Sequence, residues 1–150
     1  MLPKWHALLG FVFALLLIYF FDFSLPAAII IFLSSVLIDV DHYFYYVWKK
    51  RDLSLTRAYR WFIKERERMK KINKNKRKQL HIIIFHGIEF WIFILILSFL
   101  NKLFFYILLG ISFHFLLDFV HNIYSNIPLN TKFSQIYYIW QTNKNKKYLR

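Results

Sequence analysis

All six histidines of this chain, and four of its eight carboxylates, lie in or against apolar segments. They form three clusters: Asp39, Asp41 and His42; His81, His86 and Glu89; and His114, Asp118 and His121, with His6 apart near the N-terminus. Imidazole nitrogens and carboxylate oxygens are the donors that zinc and related divalent cations take. Four carboxylates in a bilayer, at roughly 2.5–3.5 kcal/mol each, amount to about 10 kcal/mol, which a bound cation offsets most simply. These residue types therefore point to an intramembrane metal site. The chain has no cysteine, which excludes thiolate ligands, disulfides and a cysteine nucleophile. It has no glycine-rich phosphate loop, and Ser34, Ser35 and Ser112 stand in no nucleophile motif.

Helical spacing sorts the clusters. His114, Asp118 and His121 fall at i, i+4 and i+7, one face of a helix. Asp39 and His42 share a face, with Asp41 pointing off it, and His86 and Glu89 are likewise three apart. The expected ligands are His6, Asp39, Asp41, His42, His86, His114, Asp118 and His121. His81 follows a basic stretch and is equally suited to marking the membrane boundary. This many donors suits two or three ions, since one zinc needs only three or four. Asp41 and Glu89 are the catalytic candidates, Glu89 as general base or as the partner that orients a ligating histidine.

Four apolar stretches, at about 5–21, 25–48, 82–100 and 103–124, have to position these groups. Each approaches the roughly 20 helical residues that cross a hydrocarbon core of about 30 Å. Residues 22–24 and Asn101-Lys102 are tight outer turns between them. Lys4 ahead of an apolar run would also suit a signal peptide, but no convincing A-x-A site follows, so a first membrane helix is expected. At 150 residues, 58% hydrophobic and 22% aromatic, the chain reads as one all-α polytopic membrane domain.

The net charge of +13 raises nucleic acid as a partner, but its distribution argues against one. Between positions 49 and 78 lie 14 Lys/Arg, the tail after Asn130 holds five more, and Lys4 adds another, so 20 of 21 fall on one side of a four-span topology. That is the positive-inside pattern, with both termini and the 49–80 loop cytoplasmic and anionic lipid as the natural partner. Within the loop, Leu55, Tyr59, Phe62, Arg66 and Met69 recur at helical spacing among basic residues, an amphipathic interfacial helix. In the 125–150 tail, Phe133, Ile136, Tyr137 and Trp140 suggest a shorter interfacial face. In this topology every candidate ligand lies in the cytoplasmic leaflet, where a four-helix bundle core can join them.

At these clusters the chain resembles the YdjM-like family of small membrane proteins described as metal-dependent hydrolases. His6 in WHALLG matches that family's N-terminal His, and LIDVDH (37–42) resembles its L-P-D-I-D-H segment. HIIIFHGIEFW (81–91) resembles the later His motif, and GISFHFLLD (110–118) matches G-x-x-x-H-x-x-x-D. Ile38 replaces the usual Pro, the Arg-Gly of the third motif is not recognisable around His86, and His121 stands where Thr is more usual. A more distant similarity is to the zinc-dependent phospholipase C and P1 nuclease group.

The expected function is hydrolysis of a lipid phosphoester at the cytoplasmic face of a prokaryotic inner membrane. A divalent cation, zinc foremost, polarises a phosphoryl oxygen and lowers the pKa of its water to about 7. Arg57 and Arg60 of the basic loop are candidates to hold the anionic headgroup. The alternatives are a metal or proton transporter, disfavoured because the outer helix halves carry nothing ionisable, and a scaffold whose polar cluster only fixes helix register.

Overall fold

The computed structural model describes residues 3–71 and 84–125 together with Ser134 and Ile136, except for a few side chains that include Arg66 and Met69. His81 and the remainder of the expected tail face lie outside the described residues. Among the described residues every regular element is helical. They are α1 (Pro3–Phe21), α2 (Leu25–Leu37), α3 (Val40–Lys50), α4 (Leu55–Lys71), a single 3-10 turn at Ile84–His86, α5 (Ile88–Ser98) and α6 (Lys102–Tyr124).

Among the described residues three stretches are long and apolar enough to cross a membrane: Pro3–Phe21, Leu25–Lys50 and Lys102–Tyr124. The segment expected as a further span, 82–100, is interrupted at Gly87, and its α-helical part has 11 residues. At 1.5 Å per residue that part covers about 16 Å, well short of a hydrocarbon core. The expected helix 25–48 is likewise one stretch long enough to cross but not one regular helix. At Ile38 and Asp39 it tightens: the Asp39 amide donates to the Val36 carbonyl (3.3 Å) and the His42 amide to that of Asp39 (3.2 Å), both i→i−3 pairings.

Local chemistry ends the helices where the turns were expected. Asp22 adopts a left-handed conformation (φ 53°), and the Phe23 amide reaches back to the Leu17 carbonyl at 3.3 Å, closing α1. Pro26 sits in the first turn of α2, where its missing N–H leaves no helical bond unmade. Asn101 caps α6, its side chain accepting from the Leu103 amide at 2.8 Å.

α2 packs between α1 and α6, and α5 closes on the far side of α6. Small residues set these crossings. A Cβ on Gly10 would strike the Ser35 hydroxyl, and one on Gly110 would run into the Ile31 carbonyl and lie 2.8 Å from Ser34 Cβ. In apolar solvent helices gain little from apolar contact, so close approach at such residues carries their association. The inward stripe of α1 is His6, Gly10, Ala14 and Leu17, while Leu8, Phe11, Val12, Leu15 and Leu16 face outward. A small apolar core of Ile38, Ile94, Leu108 and Ile111 fills the α2–α5–α6 junction.

Between α3 and α4 the chain turns through Arg51, itself left-handed at φ 54°, and Asp52 locks the corner. Its carboxylate accepts from the Tyr46 hydroxyl, the Ser54 amide (3.0 Å) and Arg57 Nη2 (2.8 Å). The Tyr46 bond first, then that of Ser54, holds the Asp52 carboxyl below the usual carboxylate range. Ser54 caps α4, accepting from the Arg57 amide at 3.4 Å. α4 buries Ala58 and half-buries Trp61, Phe62 and Ile63, leaving Arg57, Tyr59, Arg60 and Lys64 exposed.

Candidate metal centre

His114 is the innermost donor, 0% exposed at the middle of α6. Its Nδ1 donates to the Ser35 carbonyl at 2.8 Å. That bond fixes the tautomer and leaves the Nε2 lone pair as the one that could take a metal. The 3-10 turn brings His86 Nε2 to 3.2 Å from His114 Nε2. Asp39 Oδ1 lies 3.3 Å from His86 Nε2 and 3.7 Å from His114 Nε2. Ligands about 2.1 Å from a tetrahedral zinc are separated by about 3.4 Å. The three edges of this triangle bracket that spacing.

Two further groups share its corners. His6, His114 and Asp118 bring their donors within 4.8 Å of one another, as do Asp41, His42 and His86. The His6 and His114 rings stack at 3.9 Å, and His6 Nε2 is 3.3 Å from Asp118 Oδ1. That separation is within ion-pair range but is not aligned as a hydrogen bond. Both His6 nitrogens and Asp39 Oδ2 are buried without a hydrogen-bond partner. Buried polar atoms are normally satisfied, and these orphans all belong to the same cluster. The donor set thus fits a divalent cation.

Asp41 has a different role. Its Oδ1 accepts from His42 Nδ1 at 2.9 Å, and its Oδ2 accepts from His86 Nδ1 at 3.0 Å and from the Phe85 amide at 3.1 Å. It stands behind His86, turning that ring's Nε2 toward Asp39 and His114. In a regular α-helix Asp39 and Asp41 would point well apart at 100° per residue. The tightened turn at Ile38 and Asp39 lets both reach opposite nitrogens of one imidazole.

The remaining candidates are not brought into these groups. His86 and Glu89 were expected on one helical face, but the extended Gly87 (ψ 150°) separates the 3-10 turn from α5. Glu89 instead accepts from the Ser134 hydroxyl and, at 3.2 Å, from the Ile136 amide. His121 shares its helical face with His114 but lies seven residues on, about 10 Å along the axis, and pairs with the Ser125 hydroxyl at 3.3 Å. Arg57 and Arg60 line an open depression of about 260 Å³ between α3 and α4 with Tyr46, Lys50, Trp61 and Lys64. Sequence reasoning missed the Ser35 carbonyl and the Phe85 amide, for which no side-chain signal exists. It also missed Phe62, whose ring meets His42 edge-on at 5.4 Å.

No protein-family model matches the chain, and no curated protein and no solved structure is significantly similar to it. The likeness to the YdjM-like proteins rests on the four motifs quoted above.

Proposed function

We propose that this chain is a membrane-embedded, metal-dependent hydrolase that cleaves a phosphoester of a lipid at the cytoplasmic face of a prokaryotic inner membrane. The observation that carries this reading is the triangle of Asp39 Oδ1, His86 Nε2 and His114 Nε2, with edges of 3.2–3.7 Å, flanked by the orphaned nitrogens of His6. Asp39, His86 and His114 would hold a cation, His6 and Asp118 would extend the donor set around it, and zinc would suit the nitrogen-rich set. A cation bound there supplies Lewis acidity toward a phosphoryl oxygen. Asp41 orients His86 and His42, and the Ser35 carbonyl orients His114. The outward apolar faces of α1, α2 and α6 support burial in lipid. In this reading the short α5 makes the fourth crossing only together with the Ile84–His86 turn that precedes it, α4 lies amphipathically on the inner surface, and both termini are cytoplasmic. YdjM-like membership belongs to the same proposal.

The test is metal analysis of the purified protein, then turnover of phospholipid and polyprenyl-phosphate substrates by wild type, Asp39→Asn and His114→Ala. Stoichiometric zinc and product release that both variants abolish support the hydrolase. Bound metal without any released product, together with metal flux into proteoliposomes, makes the protein a transporter instead.

A further inference from the structure

The α3–α4 depression is lined by six residues, of which Lys50, Arg57, Arg60 and Lys64 are cationic and none is acidic. Its floor is aromatic: Trp61 lies between the two helices, with Lys49 Nζ 5.5 Å and Lys50 Nζ 6.0 Å from its ring centroid. The walls are set before any ligand arrives. Asp52 grips Arg57 and Tyr46 at once and leaves the other three cations without a carboxylate among the lining residues. At about 260 Å³, the space far exceeds the roughly 30 Å³ of a water molecule. Clustered Lys and Arg around an aromatic platform next to a membrane span suit a phosphate whose attached chain runs along apolar surface.

The position matters as much as the charge. His42 and Lys50 lie on the same helix, eight residues apart, which is about 12 Å of rise. A phosphate held at Lys50, Arg60 and Lys64 is therefore not the group that meets Asp39, His86 and His114. We propose that this depression is a phosphate-binding site distinct from the His/Asp centre, which docks the headgroup of an anionic lipid on the inner surface. Phe62 ties the two places together: its ring touches His42 on one side and the Trp61 ring, at 4.8 Å, on the other. Seating a headgroup against Trp61 thus bears, through Phe62, on the His42 ring at the edge of the metal site. The lipid as source rests on the membrane reading above, whereas the phosphate chemistry does not.

The test is calorimetric titration of the detergent-solubilised full chain with dihexanoyl phosphatidate, dihexanoyl phosphatidylcholine and inorganic phosphate. One equivalent of phosphatidate should bind, at least tenfold more tightly than inorganic phosphate, with phosphatidylcholine weaker still. The double variant R60Q/K64Q should lose at least tenfold in phosphatidate affinity, while Lys102→Gln, on the opposite hairpin, should match wild type. Both variants should keep the wild-type helical circular dichroism and melting temperature, which shows that the fold is intact. Phosphatidate affinity unchanged in R60Q/K64Q, or reduced equally in Lys102→Gln, overturns the site. Equal affinity for inorganic phosphate and phosphatidate overturns the lipid assignment. Wild-type protein that binds phosphatidate but hydrolyses nothing defeats the enzymatic reading and leaves this one standing.

Discussion

Replacing His6 with leucine should change stability in opposite directions with and without metal. His6 is 1% exposed, and neither of its nitrogens has a hydrogen-bond partner. A buried polar atom left unpaired costs about 1–3 kcal/mol, and leucine removes that cost at similar volume. The lost approach to Asp118, 3.3 Å away, offsets little, because the two atoms are not aligned as a hydrogen bond. In excess chelator His6→Leu should therefore be more stable than wild type by about 1–2 kcal/mol, or about 2–8 °C at 2–4 °C per kcal/mol for a soluble chain of this length. With zinc at a hundred times its dissociation constant, wild type gains about 2.7 kcal/mol. If losing the His6 ligand weakens binding a hundredfold, the same zinc concentration gives the variant only about 0.4 kcal/mol. The order then inverts, and the variant melts below wild type by about 1 kcal/mol. The assay is thermal melting of the detergent-solubilised proteins followed by helical circular dichroism, in zinc and in chelator. A variant that shifts equally in both conditions would show His6 to be an ordinary strained core residue. Wild-type protein that melts identically in both would remove the metal altogether.

Asp41→Asn keeps the shape of the side chain but cannot accept at both oxygens, so competition with a chromogenic chelator should find zinc bound 10–100-fold more weakly; unchanged affinity would remove Asp41 from its positioning role. His121→Ala and Glu89→Gln should retain zinc within twofold by elemental analysis, since neither residue reaches the cluster, and loss of metal in either would mean that the helix phases are misread. Gly110→Ala presses a methyl group on the Ile31 carbonyl and Ser34, so an overpacking cost of about 1–3 kcal/mol should lower the melting temperature. A neutral Gly110→Ala would show that α2 and α6 are free to separate.

Charge placement, hairpin turns and the roster of costly donors can be read from local sequence. Asp22, Pro26 and Asn101 occupy the turn and cap positions their chemistry predicts, and the i, i+4 spacing of His114 and Asp118 does place both on the inner face of α6. The pairing of donors across helices is not local. Asp41 seemed out of phase with Asp39 only because a uniform 100° per residue was assumed, and Glu89 seemed in phase with His86 for the same reason. Two departures from the regular helix, the i→i−3 turn at Ile38 and Asp39 and the extended backbone at Gly87, reverse both assignments.

What the residues alone determined is that imidazoles and acids sit in apolar sequence surroundings where each needs a compensating partner, because hydration cost belongs to each side chain wherever it lies. Which of them meet was decided by the packing at Gly10 and Gly110, which draws α1 and α6 onto α2. A change of one ångström in those crossings moves donor atoms in or out of a coordination sphere, and no pattern along a single helix carries that distance.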